Sequence, residues 1–365
     1  MASNGTGKQM RAFRVLEWGK EGGYRNVPVP VPQPGEVLIR MKAAGLCRSD
    51  LDMLDSLPGS DPYAVELDLP YTLGHENAGI VEALGDGVLD LEVGEGVAVH
   101  HMPHCGSCSY CIRGIEMHCT AYTRGSFQIT RGCGWDGGLA EFMICPRNQL
   151  VSIGDGDPIM YAPLTDAGIT AYRSVGTVKD RLRPGSTALV IGVGGLGSYA
   201  LQFLRLQTDA TIYAVDVDEK RLELATQLGA KRGFLAGPSA TQKILDETHG
   251  KGIDGILDYV GSDESLKLAM SISRPQGRVV LVGMAMGRVE VGWNQIATSC
   301  EFAISLGSDR KDLEEVCLLA RQGMLRIDVE RFPFSRIPEA YAALRSGKLN
   351  GRAVITFDDV GKSEG

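Results

Sequence analysis

Four of the nine cysteines in this chain, Cys105, Cys108, Cys111 and Cys119, fall within fifteen residues. Thiolates so close in sequence can converge on one tetrahedral zinc ion, and four protein ligands leave no open position, which makes the site structural. Gly106 and Gly114 ease the tight turns such a lobe needs. The alternative, unpaired thiols or disulfides, leaves the spacing unexplained. A second motif, Gly192-Val-Gly194-Gly195-Leu196-Gly197, follows an apolar strand and opens a helix. In that setting the absent side chains let a pyrophosphate approach the backbone amides at the helix N-terminus, so these residues read as a dinucleotide site. Asp216 lies nineteen residues after Gly197, at the end of the next strand. A carboxylate there accepts hydrogen bonds from ribose hydroxyls and repels a 2′-phosphate, which favours NAD over NADP. Asp218 and Glu219 strengthen that preference, while Lys220 and Arg221 weaken it. The competing reading is a glycine-rich turn in an α/β domain that binds no nucleotide.

The elements that must carry these motifs change character along the chain. Up to about residue 150, short β segments such as 36–42, 78–83 and 96–100 are separated by Gly and Pro, which predicts a compact β barrel or sandwich. The Pro-rich stretch 27–34 reads as an extended connector. From residue 166 a helix to 179 is predicted, then apolar strands at 187–191, 211–215, 255–258 and 277–282, with one helix after the glycine turn and another at 220–228. Such alternation is the signature of parallel βαβ units. Helices are expected at 309–322 and 338–346, and a last strand at 351–357 that rejoins the first domain. The polar termini are expected to be loosely held.

With 365 residues, two domains are expected. The net charge of −8, with no Lys/Arg cluster, speaks against nucleic acid or an anionic membrane as partner. The N-terminus lacks the apolar core of a secretory signal, and no run reaches the roughly 18 apolar residues that span a bilayer. A cytoplasmic protein is the expectation, in which Cys133, Cys145, Cys300 and Cys317 are free thiols.

Three further segments complete the pattern: Gly45-Leu-Cys47-Arg48-Ser49-Asp50, Gly74-His75-Glu76 and Pro163-Leu-Thr-Asp166-Ala-Gly168. With the cysteine cluster and the glycine turn, in this order over the whole chain, they resemble the zinc-containing medium-chain dehydrogenase/reductase family. The resemblance implies an α/β protein: a GroES-like β-barrel catalytic domain over 1–166 and 306–365 carrying both zinc sites, and a Rossmann domain over 167–305 binding NAD, the active site lying between them. It implies Cys47, His75 and Asp166 as ligands of a catalytic zinc, Asp166 standing where many relatives have cysteine. Glu76 matches an acid that approaches the metal, Ser49 the hydroxyl that relays the alcohol proton, and Asp50 the carboxylate behind the zinc-bound histidine. Arg48 and Arg352 match pyrophosphate contacts, Arg221 lies near the adenosine ribose, and His101 lines the substrate pocket. Asp52 replaces the distal relay histidine of the animal enzymes, so the last step of proton exit is open to Asp52, to a ribose hydroxyl with water, or to another route.

The chemistry agrees with the resemblance. Three protein ligands leave one open zinc position, and zinc lowers the pKa of bound water from about 15.7 to about 7, so a bound alcohol is acidified likewise and its hydride passes to the nicotinamide. The implied function is a zinc-dependent oxidoreductase with two zinc ions per subunit, interconverting a small-molecule alcohol, secondary or aromatic, and its ketone or aldehyde with NAD. The alternatives are a sorbitol-type polyol dehydrogenase and a non-catalytic zinc and nucleotide redox sensor. A homodimer or homotetramer is implied. His100, His104 and His118 read as solvated or hydrogen-bonded histidines, Trp135 and Trp293 as core or interface aromatics, and Met284 and Met286 as neighbours of nicotinamide or substrate.

Overall fold

A computed structural model describes residues 7–58, 67–124 and 127–358. The polar ends expected to be loose, residues 1–6 and 359–365, lie outside them. The chain forms two compact units, one of Met1–Ala167 with Ser308–Gly365 and one of Gly168–Gly307.

In the first unit a seven-stranded sheet runs in the order Leu150–Gly154, Gly96–Val99, Glu76–Leu84, Glu36–Gly45, Arg352–Thr356, Val329–Pro333, with Phe142–Pro146 also paired to Glu36–Gly45. Glu36–Gly45 is the pivot, pairing antiparallel with three strands along its length. A three-stranded sheet of Gly23–Pro28, Gln9–Val15 and Tyr71–Thr72 lies alongside in sequence. Alternate residues of these strands close on one core that includes Phe13, Ile39, Met41, Val97, Leu139, Phe334 and Ile355. Gln9–Val15 and Gly23–Pro28 went unpredicted because charged and turn-forming residues interrupt their apolar positions; the latter takes in the first part of the expected connector. The last strand rejoins the first unit as expected, Val354–Thr356 lying opposite Ala43–Gly45.

The second unit is a six-stranded parallel sheet in the order Arg232–Leu235, Thr211–Asp216, Thr187–Ile191, Ile253–Asp258, Ser273–Leu281, Glu301–Ile304. This is the 3-2-1-4-5-6 winding of a dinucleotide-binding fold. Helices on both faces of a parallel sheet demand apolar central strands, and Thr187–Ile191 is buried from Ala188 onward. Two outer strands, Arg232–Leu235 and Glu301–Ile304, and the helices Ala240–Glu247 and Asp263–Ile272 were not foreseen. Edge strands need no continuous apolar run. The Asp263–Ile272 helix begins on a side-chain cap: the Ser262 hydroxyl accepts the Ser265 amide at 3.2 Å, and the Ser265 hydroxyl accepts the Ser262 amide at 2.9 Å.

The glycine turn sits where the strand order reverses, between Thr187–Ile191 and the helix Gly197–Gln207. Gly192 has φ +86°, and a Cβ on Gly197 would stand 1.9 Å from the Gly192 carbonyl oxygen. Gly197→Ala must therefore push helix from strand, and is expected to cost about 1–3 kcal/mol or more. Urea denaturation measures this, and an unchanged midpoint would contradict the close approach.

Candidate metal centres and nucleotide site

The cysteine lobe is built by short turns. Gly106 and Gly114 take φ of +73° and +68°, and Cys108 caps the helix Ser109–Ile112. The four sulfurs lie within 4.8 Å of one another, with Cys105 to Cys111 at 3.9 Å and Cys108 to Cys111 at 3.5 Å. Tetrahedral zinc with bonds of about 2.3 Å sets its sulfurs about 3.8 Å apart, so the set fits zinc and is far from disulfide spacing. Hydrogen bonds from the Ser107 hydroxyl and from the Ser107 and Cys108 amides lower the Cys105 thiol to about 5, which favours the thiolate a metal needs. The lobe is moored by Asp309, whose Oδ1 accepts the Met117 amide at 3.1 Å.

A second group brings together Cys47, His75, Glu76 and Asp166, whose donor atoms also lie within 4.8 Å of one another. Cys47 immediately precedes the helix Arg48–Asp55, and His75 immediately precedes the strand Glu76–Leu84. Asp166 stands just before the helix Ala167–Val178, so that helix begins one residue later than expected. Asp50 Oδ2 accepts the Cys47 amide at 2.9 Å, and Asp50 Oδ1 is 3.1 Å from His75 Nδ1. The other ring nitrogen, Nε2, is 3.6 Å from Asp166 Oδ2. Burial acts to lower the His75 pKa, but Asp50 and Asp166 outweigh it and hold it well above the usual imidazole range. Such a pocket favours a positive charge at its centre. The sulfur, nitrogen and oxygen donors therefore fit a divalent metal, with Asp50 orienting the histidine from behind.

Glu76 and Arg352 form a buried pair, Nε to Oε2 at 3.0 Å with a second bond from Nη2 to Oε1. Arg352 Nη2 is also 3.6 Å from Asp166 Oδ2. Burial pushes Glu76 up to about 8, with Arg352 opposing and Asp166 adding. A buried guanidinium needs a fixed anion, and Glu76 supplies one to Arg352 through Nε and Nη2 inside the metal group.

Ser49 Oγ lies 3.6 Å from Cys47 Sγ. Arg48 is largely exposed, its Nε 3.7 Å from Asp52 Oδ1, and burial raises the Asp52 pKa against the pull of Arg48. His101 is buried, its ring centre 5.9 Å from that of His75 and its Nδ1 2.9 Å from the Thr165 carbonyl oxygen. His100 and His104 are buried and hydrogen-bonded to the Ser308 and Met102 carbonyls, and His118 is exposed. Two residues missed in the sequence hold this centre. Thr165 Oγ1 accepts the Asn77 amide at 2.9 Å and donates to the Ala162 carbonyl at 2.8 Å. Asn77 Nδ2 donates to the Gly74 carbonyl at 2.9 Å. Their only signal was adjacency to a ligand.

In the second unit the Asp216 carboxylate accepts the Val193 amide at 2.7 Å through Oδ2 and the Asp218 amide at 3.0 Å through Oδ1. Arg221 Nη1 is 4.0 Å from Asp216 Oδ1. Glycine turn, strand-end acid and arginine thus come together. Nothing lies within 4 Å of a Cβ built on Gly194, which leaves open space over the turn. Cys133, Cys145 and Cys317 are free, and burial pushes each thiol up to about 12, which disfavours the thiolate. Trp135 packs at the edge of the first core under Arg131, whereas Trp293 is 94% exposed and is no core residue. Met284 and Met286 are exposed.

Residues 33–155 match the family described as alcohol dehydrogenase GroES-like domain, and residues 195–320 match that of zinc-binding dehydrogenase. The chain is 33% identical to an NAD-dependent alcohol dehydrogenase of Sulfurisphaera tokodaii, over 95% of this chain and 99% of that one. The crystal structure of the alcohol dehydrogenase of the hyperthermophilic archaeon Aeropyrum pernix superposes with a TM-score of 0.87 at 32% identity, covering 95% of this chain and all of that one. Acetophenone reductase of Geotrichum candidum, solved in complex with NAD, superposes with a TM-score of 0.82 at 27% identity, covering 96% of this chain and 98% of that one.

Proposed function

The chain belongs to the zinc-containing medium-chain dehydrogenase/reductase family, and we propose that the alcohol it oxidises with NAD⁺ is secondary or aromatic, yielding the ketone or aldehyde. It is an NAD-dependent, zinc-containing alcohol dehydrogenase by class. The observation that carries the reading is the mixed donor group of Cys47, His75 and Asp166, backed by Asp50, in one chain with a dinucleotide turn. The likeness to an acetophenone reductase supports the substrate class.

Cys47, His75 and Asp166 would hold the catalytic zinc, and Cys105, Cys108, Cys111 and Cys119 the structural one. When bound, zinc acidifies an alcohol hydroxyl and NAD⁺ accepts the hydride. Asp50 fixes the His75 tautomer so that Nε2 faces the metal. The Ser49 hydroxyl would take the proton leaving the alcohol, which then exits by Asp52, by a ribose hydroxyl with water, or by another route. Glu76 is held by Arg352 within the same donor group and would offer a further carboxylate to a metal bound there. The Gly192–Gly197 turn would cradle the pyrophosphate, Arg48 and Arg352 are proposed as further pyrophosphate contacts, and Asp216 with Arg221 would take the adenosine ribose. His101 lines the substrate pocket.

The catalytic domain is proposed to be 1–166 with 306–365, and the NAD-binding domain 167–305. No helix among the described residues is long and apolar enough to cross a membrane, and a cytoplasmic enzyme is proposed. The edge strand Glu301–Ile304 exposes Phe302 and Ile304, with Trp293 and Val291 nearby in sequence, which supports assembly into a homodimer or homotetramer through that edge.

Metal analysis with an NAD⁺-coupled screen of primary, secondary, aromatic and polyol substrates tests the function. About two zinc per subunit and NADH formation with secondary or aromatic alcohols are expected; turnover of polyols alone would displace this reading. Asp216→Ala removes both amide acceptors and the charge that repels a 2′-phosphate, leaving Arg221 to meet it. The NADP⁺/NAD⁺ ratio of kcat/KM is expected to rise by about 10–100-fold; an unchanged ratio would remove Asp216 from coenzyme choice.

A further inference from the structure

His75 and Asp166 come from distant segments of the chain, yet His75 Nε2 stands 3.6 Å from Asp166 Oδ2. Tetrahedral zinc with nitrogen and oxygen bonds of about 2.0–2.2 Å sets such ligands about 3.4 Å apart, so the pair is close to the span a zinc ion requires. Side chains on separate segments keep such a span only where the segments themselves are held together. Thr165 and Asn77 hold them. Thr165 immediately precedes Asp166, and Asn77 follows His75 and Glu76. The Asn77 amide donates to Thr165 Oγ1 at 2.9 Å, and that hydroxyl donates in turn to the Ala162 carbonyl at 2.8 Å. Both residues are fully buried. The Asn77 side chain secures the residue before the histidine, Nδ2 donating to the Gly74 carbonyl at 2.9 Å. That side chain is also packed in place, because a Cβ on Gly138 would stand 1.8 Å from Asn77 Oδ1.

A hydroxyl suits this junction. Its one hydrogen is spent on Ala162, which leaves its lone pairs for the Asn77 amide. A methyl group in its place accepts nothing and leaves that amide buried and unpaired, a penalty relieved when the two segments part. Resting on the reading of Cys47, His75 and Asp166 as the catalytic zinc site, we infer that Thr165 is a positioning residue for it: the hydroxyl pins the Asp166 segment to the strand behind His75 and sets the separation of the two ligands. Thr165 and Asn77 offer no donor to the metal group itself, so they act through His75 and Asp166. The cysteine lobe is held by its own turns and by Asp309, so the effect falls on one zinc and not on the other.

The test compares the full-length, zinc-loaded enzyme with two variants: Thr165→Val keeps the shape and removes the acceptor, and Thr165→Ser keeps the hydroxyl. Zinc affinity is read by competition against a chelator, and ligand geometry by the visible absorption of cobalt placed in the catalytic site. Thr165→Val is expected to weaken the catalytic zinc by about 10–100-fold, as loss of a partner behind a ligand does, and to shift the cobalt bands, with the cysteine-held zinc unchanged. Thr165→Ser is expected to stay within about 3-fold of the unmutated enzyme, with the cobalt bands in place. Hydrogen exchange of the unmutated enzyme is expected to show the Asn77 amide protected, a measurement that holds even where the valine variant fails to fold. Catalytic zinc held equally well by Thr165→Val, a serine variant as weak as the valine one, equal weakening of both zinc ions, or a rapidly exchanging Asn77 amide would each overturn the inference while leaving the zinc dehydrogenase standing. Unmutated enzyme that holds no zinc through Cys47, His75 and Asp166 would overturn that reading itself.

Discussion

Cys47→Ala is expected to leave about one zinc per subunit and to lower kcat by on the order of 10³–10⁴-fold, with the fold retained. The loss follows from the donor set. With the thiolate gone, His75 and Asp166 hold a divalent ion by two strong ligands only, and the Lewis acid that acidifies the alcohol departs. The fold survives because the Cys47 backbone, and not its sulfur, is bonded to Asp50 at 2.9 Å. His75→Ala is expected to do the same, with Asp50 left facing an empty space. Plasma emission spectrometry, circular dichroism and NADH absorbance measure the three quantities. Full activity in the Cys47→Ala enzyme, or two zinc ions still bound, would sink the assignment.

The cysteine lobe should respond in the opposite way. Between Cys105 and Cys119 only Cys111, Met117 and Cys119 are buried, so the lobe has no core of its own to hold its shape. Met117 is moored by Asp309, and a metal held by the four cysteines, as proposed, would supply the rest of the lobe's order. Cys105→Ser is expected to release one zinc and to cost several kcal/mol, read as a fall in Tm of about 5 °C or more, with proteolytic cutting appearing within 105–119. A variant with altered kinetics and unchanged Tm would show that this metal is not structural.

Both donor groups were legible in the sequence because metal-binding side chains advertise themselves by residue type, and the glycine turn because Gly192, at φ +86°, and Gly197, packed on the Gly192 carbonyl, leave no room for another residue. The strands at 187–191 and 211–216 were legible because full burial demands unbroken apolar runs. Arg232–Leu235 and Glu301–Ile304 were not, since an edge strand is free to carry charge and bury little. Arg352 shows what residue type leaves out: its ion pair with Glu76 joins positions 276 residues apart and is visible only in three dimensions. Thr165 and Asn77 escaped notice because a hydroxyl or amide that positions a neighbour through backbone atoms leaves no pattern in the chain. His101 was visible as a residue, but its ring is held by a carbonyl 64 positions away.

The Val354–Thr356 segment pairs with Ala43–Gly45 about three hundred residues earlier, and its neighbour Arg352 closes on Glu76. A ribosome makes these partners many seconds apart at about 5–20 residues per second. The Gly168–Gly307 unit is one uninterrupted stretch and can fold as it emerges. The sheet around Glu36–Gly45 must wait with one side unpaired until the last strand arrives. During that interval Glu76 lacks its counter-cation, so the ligand group near it stays unfinished. The timetable of synthesis therefore leaves the Glu76 carboxylate without its ion-pair partner until Arg352 has been made.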